Sequence, residues 1–278
     1  MTDEHDSNRA ERGGVLLELY EHIMSSLRPK TLPFGVKLFG SLDERPTGLV
    51  LPRHPMNVCQ VTSLVRYYGW RMYATWRDMA CVVGAVAVGM IEPPENMASG
   101  KIAEMLHADM DSARRFTELV PRILPGSVKA FVAAPLNGLT FEPDMVVVYG
   151  NTAQAMRLVQ AYLYRRGGRM TFSTGGEYSL CADIIADTAN KHDFTLAIPC
   201  FGDRKTAMAQ DEELTVAFPA DMAQEVLEGL RGTAKTAAYP TPIDIAFPQM
   251  PDYTLTDWAV AFRRGKTSHE GNEKPKKK

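Results

Sequence analysis

The chain has 278 residues, with 31 Lys plus Arg against 33 Asp plus Glu, and its formal net charge of −2 gives no general pull toward nucleic acid or an anionic membrane. Hydrophobic residues at 45% can fill a core, and charged residues at 23% are ordinary for a soluble protein. No apolar run approaches the ~18–20 residues that span a bilayer. The start of the chain lacks the basic-then-apolar order of a secretory leader, and four widely spaced cysteines do not form a secreted disulfide framework. Cytoplasmic residence is therefore expected.

Residues 1–14 are charged and aperiodic, so a disordered N-terminus is expected there. Val15–Arg28 has Leu16, Leu19, Tyr20 and Ile23 at helical spacing, and Pro29 and Pro33 stop that helix. Phe34–Phe39 reads as a strand and Gly40–Pro55 as a loop. A helix begins near Asn57, a favoured N-cap. Val58, Val61, Val65 and Tyr68 then fall on one stripe, with Cys59 in the first turn. Val82–Met90, after Cys81, is apolar on every side, which suits a buried helix or a buried strand. One or two helices are expected over Met97–Leu119. Strands follow at Val128–Ala134 and Asp144–Tyr149, then helices at Thr152–Arg166 and Tyr178–Asn190. Phe194–Ile198 is a strand leading into the turn Pro199-Cys200-Phe201-Gly202-Asp203-Arg204. Glu213–Phe218 is another strand, and Pro219 opens a helix to Leu230. Pro240–Pro251 reads as extended, Trp258–Phe262 as a docking segment, and 265–278 as a disordered basic tail ending in Pro275-Lys-Lys-Lys278.

Two stretches share a grammar. Asn57–Met90 and Asn151–Asn190 each run helix, glycine stop, Arg-Met, linker, and a cysteine opening an apolar segment. A strand precedes each. Self-similarity at a nearly fixed offset points to an internal repeat. The expected architecture is one α+β domain over 15–264, a mixed sheet with packed helices. Its two related halves would cover about 33–95 and 144–200, each strand, helix and cysteine helix. The plainer reading is two ordinary strand–helix units with glycine stops.

Chemistry centres on Cys59, Cys81, Cys181 and Cys200. None forms a close C-x-x-C pair, so spacing gives no zinc ribbon. Cys59, Cys81 and Cys181 fall at predicted helix starts, where backbone N–H groups favour a thiolate. Cys200 sits in a turn after a strand. Around a two-fold axis, Cys81 and Cys181 would face each other, and Cys59 and Cys200 could complete a site for an iron–sulfur cluster or zinc, both of which take soft sulfur ligands. Arg157 stands near the place in the second copy where the first has Cys59, which argues against a symmetric site. The alternatives are a metal-free small-molecule binding or regulatory protein with core cysteines, and a cysteine-nucleophile enzyme for which no histidine partner can be assigned.

Three further residues are ligand candidates. His54 precedes the Cys59 helix, although a loop histidine usually belongs to the surface. Arg204 could bind an anion or pair with a neighbouring carboxylate. Glu177 follows a Gly-Gly turn four residues before Cys181. Tyr67, Tyr68, Trp70 and Trp76 suit core packing better than a planar ligand. There is no dinucleotide or P-loop glycine motif and no serine-hydrolase elbow. The expected partner is a small-molecule ligand or a redox protein; self-association stays open.

Several of these pieces, in order, carry a family likeness: Val36-Lys-Leu-Phe39, Cys59-Gln60 with Arg66 and Gly69 on one helix, Cys81, Val146-Val-Val-Tyr149, Cys181, and Cys200-Phe-Gly202-Asp203-Arg204. Together they resemble the domain-of-unknown-function 169 family, spread through archaea and bacteria, many of them anaerobes. The likeness runs from about Pro33 to Leu230. It implies a cytoplasmic prokaryotic protein, and it supplies neither catalytic residues nor a cofactor.

Overall fold

A computed structural model of the chain describes residues 2–43 and 46–234, with side chains from residue 12 onward. The expected proline-rich stretch, docking segment and basic tail lie outside the described residues. Helix α1 spans Thr2–His22 and runs into a π-helical turn, Ile23–Leu27. It starts well upstream of Val15, inside the stretch expected to be disordered. That upstream segment has no apolar stripe, and periodicity registers only amphipathic helices.

Strand β1 (Phe34–Phe39), helix α2 (Val58–Tyr68), strand β2 (Met72–Ala74) and helix α3 (Val82–Ala87) follow. Then come α4 (Glu95–Ala98), α5 (Met110–Leu119), β3 (Ala130–Pro135), β4 (Met145–Asn151) and α6 (Thr152–Arg166). A π-helix (Ser179–Ala186) continues as α7 (Asp187–Lys191), and β5 (Thr195–Ala197), α8 (Phe201–Ala207), β6 (Glu213–Pro219) and α9 (Ala223–Ala234) complete the described fold. No described helix is long and apolar enough to cross a membrane.

The strands form one sheet in the order β2-β3-β1-β4-β6-β5. Every neighbouring pair is antiparallel, so the sheet is not mixed as the strand–helix units suggested. Hydropathy along a strand reports burial and carries no sign of direction, which is why the pattern left this open. The two parallel bridges, Val50–Met72 and Met56–Met79, stand outside the named strands.

Both faces of the sheet are covered. Met145, Val147 and Tyr149 of β4 point to one face, where they join Val58, Val61 and Val65 of α2 and Leu180, Ile184 and Ile185 of the π-helix. Val146 and Val148 point to the other, among Leu19 and Ile23, Ala155 and Leu158 of α6, and Val226 and Leu230 of α9. Burial on both sides makes these strands read as continuous apolar runs, although side chains alternate.

The structure does not reproduce the expected two-fold repeat. Helices α2 and α6 lie on opposite faces of the sheet. Gly69 ends α2 at φ 71, ψ 19 and Gly167 ends α6 at φ 65, ψ −162. Strand β2 begins at Met72, three residues after Gly69, whereas residues 169–175 contain no regular element. What the copies share is local end chemistry. Asn57 with Gln60, and Asn151 with Gln154, form the caps of α2 and α6, and a glycine closes each helix.

Candidate functional site

The covered face that carries α2 and the π-helix gathers the cysteines. Cys59 is the second residue of α2, Cys81 caps α3, Cys181 is the third residue of the π-helix, and Cys200 caps α8. Gly84 in α3 helps to set this arrangement. A Cβ there would lie 3.1 Å from Val58 Cγ2, so its absence lets α3 close on the start of α2. Each of the four side chains is half-buried.

The sulfurs share one electrostatic neighbourhood. Cys181 feels the charges of Cys200, Cys81 and Cys59, and Cys59 feels those of Cys200 and Cys81. Backbone donors serve the sulfurs as well. The N–H of Gly84 points to Cys81 Sγ at 3.5 Å, and backbone N–H groups of Asp203, Ser179 and Gly202 partly offset the burial of Cys200. Burial nonetheless dominates. It pushes the Cys59 thiol up to about 12, with the Asp203 charge adding to the rise and the Thr206 hydroxyl, 3.8 Å from the sulfur, opposing it. It holds Cys181 well above the ordinary thiol range and raises Cys200 despite its N–H contacts. Desolvation penalises a thiolate more than helix-end donors favour it, so Cys59 and Cys181 are not the low-pKa thiols their helix positions alone suggested.

Behind the sulfurs lies a buried polar chain. Arg66 of α2, 1% exposed, stacks over the ring of Tyr149 at 4.0 Å and that of Tyr67 at 4.4 Å. Its guanidinium donates to both Glu213 oxygens at 3.3 Å, to Thr31 Oγ1 at 3.3 Å and to the Ala207 carbonyl at 3.2 Å. Tyr149 Oη donates to Asp203 Oδ2 at 2.7 Å. Burial raises the Asp203 carboxyl to about 6, against the pull of Tyr149 and Arg66. The other oxygen, Asp203 Oδ1, is buried without a hydrogen-bond partner.

The remaining sequence candidates fall elsewhere. His54 is exposed in the loop before α2. Arg204 is occupied by the Pro199 and Gln210 carbonyls, at 3.0 and 2.8 Å, and by Asp211 at 3.3 Å, so it clamps the ends of its own helix. Glu177 faces His107 at 3.8 Å, with its carboxyl raised by burial. Between Glu177 and the sulfurs stands Tyr178, held at φ 53 and pushed up to about 12 by burial, with Glu177, Cys181 and Cys81 adding to the rise. Asp203 and Tyr149 enter the sequence analysis only as parts of the segments that carry the family likeness, not as site candidates. The available signal was Asp203 one helical turn after Cys200, on the same face of a helix. As the side chains stand, no group of three or more described His, Cys, Asp or Glu residues is arranged to hold a metal ion.

Comparison with known proteins places the chain. The model of the domain-of-unknown-function 169 family, described as an uncharacterised ArCR, matches residues 22–229. The chain belongs to this family. A relative from Methanocaldococcus jannaschii, an uncharacterized protein, is 34% identical over 202 residues, covering 71% of this chain and 86% of its own length. No solved structure matches the chain. The family match begins within α1 and ends within α9, so it takes in the whole sheet, all four cysteines and the Arg66–Tyr149–Asp203 chain.

Proposed function

We propose that the protein is a cysteine-ligated metal protein of the cytoplasm, most naturally an iron–sulfur protein, serving redox chemistry or the processing of a small ligand. The observation that carries this reading is the gathering of Cys59, Cys81, Cys181 and Cys200 from four separate segments into one electrostatic neighbourhood. Cys59 and Cys181 pack against one buried cluster, and Tyr178 shares a cluster with Cys81 and another with Cys181; soft thiolate sulfur is the ligand type such a centre would use. A single zinc ion draws its sulfurs to about 2.3 Å from one point. A cluster interposes irons and sulfides between its ligands and spreads them more widely than a single ion does. Burial that keeps Cys59 and Cys181 protonated is offset when a metal takes the proton's place, because a coordinated thiol is deprotonated outright.

Protein produced and purified without oxygen should contain iron and acid-labile sulfide in fixed proportion, and Cys81→Ser and Cys181→Ser should lose both while keeping their circular dichroism. Colourless protein free of iron and zinc would reject the reading. The second reading, a metal-free pocket for a small molecule, is favoured by the raised thiol pKa values. It would then stand ahead.

A further inference from the structure

A cavity of about 480 Å³ opens at one end of the sheet, a size that suits a small metabolite. Leu38 of β1, Met145 at the start of β4 and Pro219 at the end of β6 give it apolar walls, and Leu16 of α1 adds to them. Tyr149, which binds Asp203, belongs to the other end of β4, and none of the four cysteines lines the cavity. Charges of both signs line it. Lys37 Nζ donates to Asp144 Oδ1 at 2.6 Å, and Asp144 Oδ2 accepts from the Leu38 N–H at 2.8 Å. Arg12 pairs with Glu142, and His192 Nε2 meets Asp221 Oδ2 at 2.9 Å. These contacts orient the groups without exhausting them. The Lys37 ammonium has three N–H bonds and Asp221 has two oxygens, and each uses one here. Their side chains are 31% and 55% exposed, so a ligand can reach both. The helix over 179–191 also ends at the cavity, with Ala189 in its last turn among the walls. Carbonyl oxygens at a helix C-terminus favour a cation.

We propose that this cavity binds a free α-amino acid with an apolar side chain. Its carboxylate faces Lys37, its ammonium faces Asp221 and the last carbonyls of α7, and its side chain lies on Leu16, Leu38, Met145 and Pro219. The charge pattern selects this class. A simple anion would meet the carboxylates of Glu142, Asp144 and Asp221, and a simple cation would meet Arg12 and Lys37. A zwitterion offers each sign to its opposite. Strand β4 lies between β1 and β6, so Lys37 and the segment that carries Asp221 stand two strand spacings apart, roughly 10 Å between backbones. Two side chains with one small ligand between them bridge such a distance. A larger zwitterion, such as a peptide, would have only one of its two charged ends in the cavity. The assignment uses none of the cysteines and stands whether or not they hold a metal.

The test titrates the full-length protein with L-leucine, L-methionine and L-phenylalanine, by calorimetry and by thermal melting. Isovalerate and isoamylamine, which keep the leucine side chain but carry one charge each, serve as comparisons. At least one of the amino acids should bind saturably, and at a hundredfold excess over its Kd it should raise the melting temperature by roughly 5–11 °C. The two singly charged analogues should bind at least about tenfold more weakly, as should the amino acid to Lys37→Met and to Asp221→Asn, since a hydrogen bond to a charged group is worth about tenfold or more. The unliganded melting temperature shows whether each variant folds. Asp221→Asn alters a largely exposed side chain and carries the test by itself if Lys37→Met does not fold. Absence of saturable binding by all three amino acids would overturn the proposal. So would equal binding of isovalerate or isoamylamine, or parent-like affinity in the folded variants. Binding that is lost in Cys81→Ser but kept in Lys37→Met and Asp221→Asn would place the ligand at the sulfurs instead, and would overturn this site while leaving the reading of the cysteines standing.

Discussion

Arg66→Met removes a charge from the most enclosed ion pair described here. Arg66 and Glu213 are 1% and 3% exposed, so neither has water to fall back on. Without the guanidinium, Glu213 keeps only the Gln210 N–H at 2.8 Å, and Tyr149 loses the cation over its ring. Breaking a buried pair from one side costs about 3–5 kcal/mol, because the remaining charge is uncompensated. At about 2–4 °C per kcal/mol for a protein of this size, the melting temperature should fall by roughly 6–20 °C. The partner variant Glu213→Gln retains an acceptor for Gln210 and should cost less, since Arg66 keeps Thr31, the Ala207 carbonyl and two aromatic faces. The combined variant Arg66→Met/Glu213→Gln removes both charges. It should recover more than about 1 kcal/mol relative to the sum of the singles, as expected for residues in one network. Urea unfolding of all four proteins completes the cycle. Additive losses, or an Arg66→Met cost below about 1 kcal/mol, would refute the claim that this pair anchors α2 to β6.

Three further outcomes are expected. A Cβ at Gly229 would sit 2.1 Å from the Ala161 carbonyl oxygen, so Gly229→Ala should force α6 and α9 apart and cost about 1–3 kcal/mol in urea unfolding, whereas Gly167→Ala meets no atom and is limited by its φ of 65. Burial raises Asp183 from 3.8 to about 6; the folded form then binds its proton more tightly than the unfolded form, so its contribution to stability declines as pH rises from about 4 to about 6, and the stability of Asp183→Asn relative to the parent should grow over that window and level off above it. With Cys59 and Cys181 held well above the ordinary thiol range, iodoacetamide at pH 8 should label both far more slowly in the native metal-free protein than in urea, read by peptide mass spectrometry; equal rates would contradict the burial argument.

Much of the secondary structure is legible in the residues themselves. Asn57 announces the start of α2, the spacing of Val58, Val61 and Val65 gives its buried face, and the apolar run at Met145–Tyr149 gives a central strand. The cysteines announce themselves as a set through their placement at helix starts. Sheet order is not legible, because β1 pairs with β3 and β4, both remote in sequence, and nothing in Phe34–Phe39 encodes its neighbours. The apparent repeat shows the limit of local grammar: caps and stops make α2 and α6 look related, while tertiary packing puts them on opposite faces. Asp203 was hidden for another reason. In sequence it is one acidic residue in a polar turn, and only the fold buries it against Tyr149 and leaves one oxygen without a partner.

The dispersal of the four cysteines has a consequence for biosynthesis. Cys59 lies near the start of the fold, while Cys200 follows five of the six strands in chain order. A nascent chain on the ribosome cannot present the complete set until Cys200 has left the exit tunnel. By then β1 and β4 can already be paired, and of the described elements α8, β6 and α9 are still to come. Any group bridging these thiols would close loops across most of the domain, which restricts the unfolded chain far more than the folded one. Loading and folding would thus be coupled late in synthesis, and a chain arrested before Cys200 would carry its first three thiols without the residue that completes their enclosure.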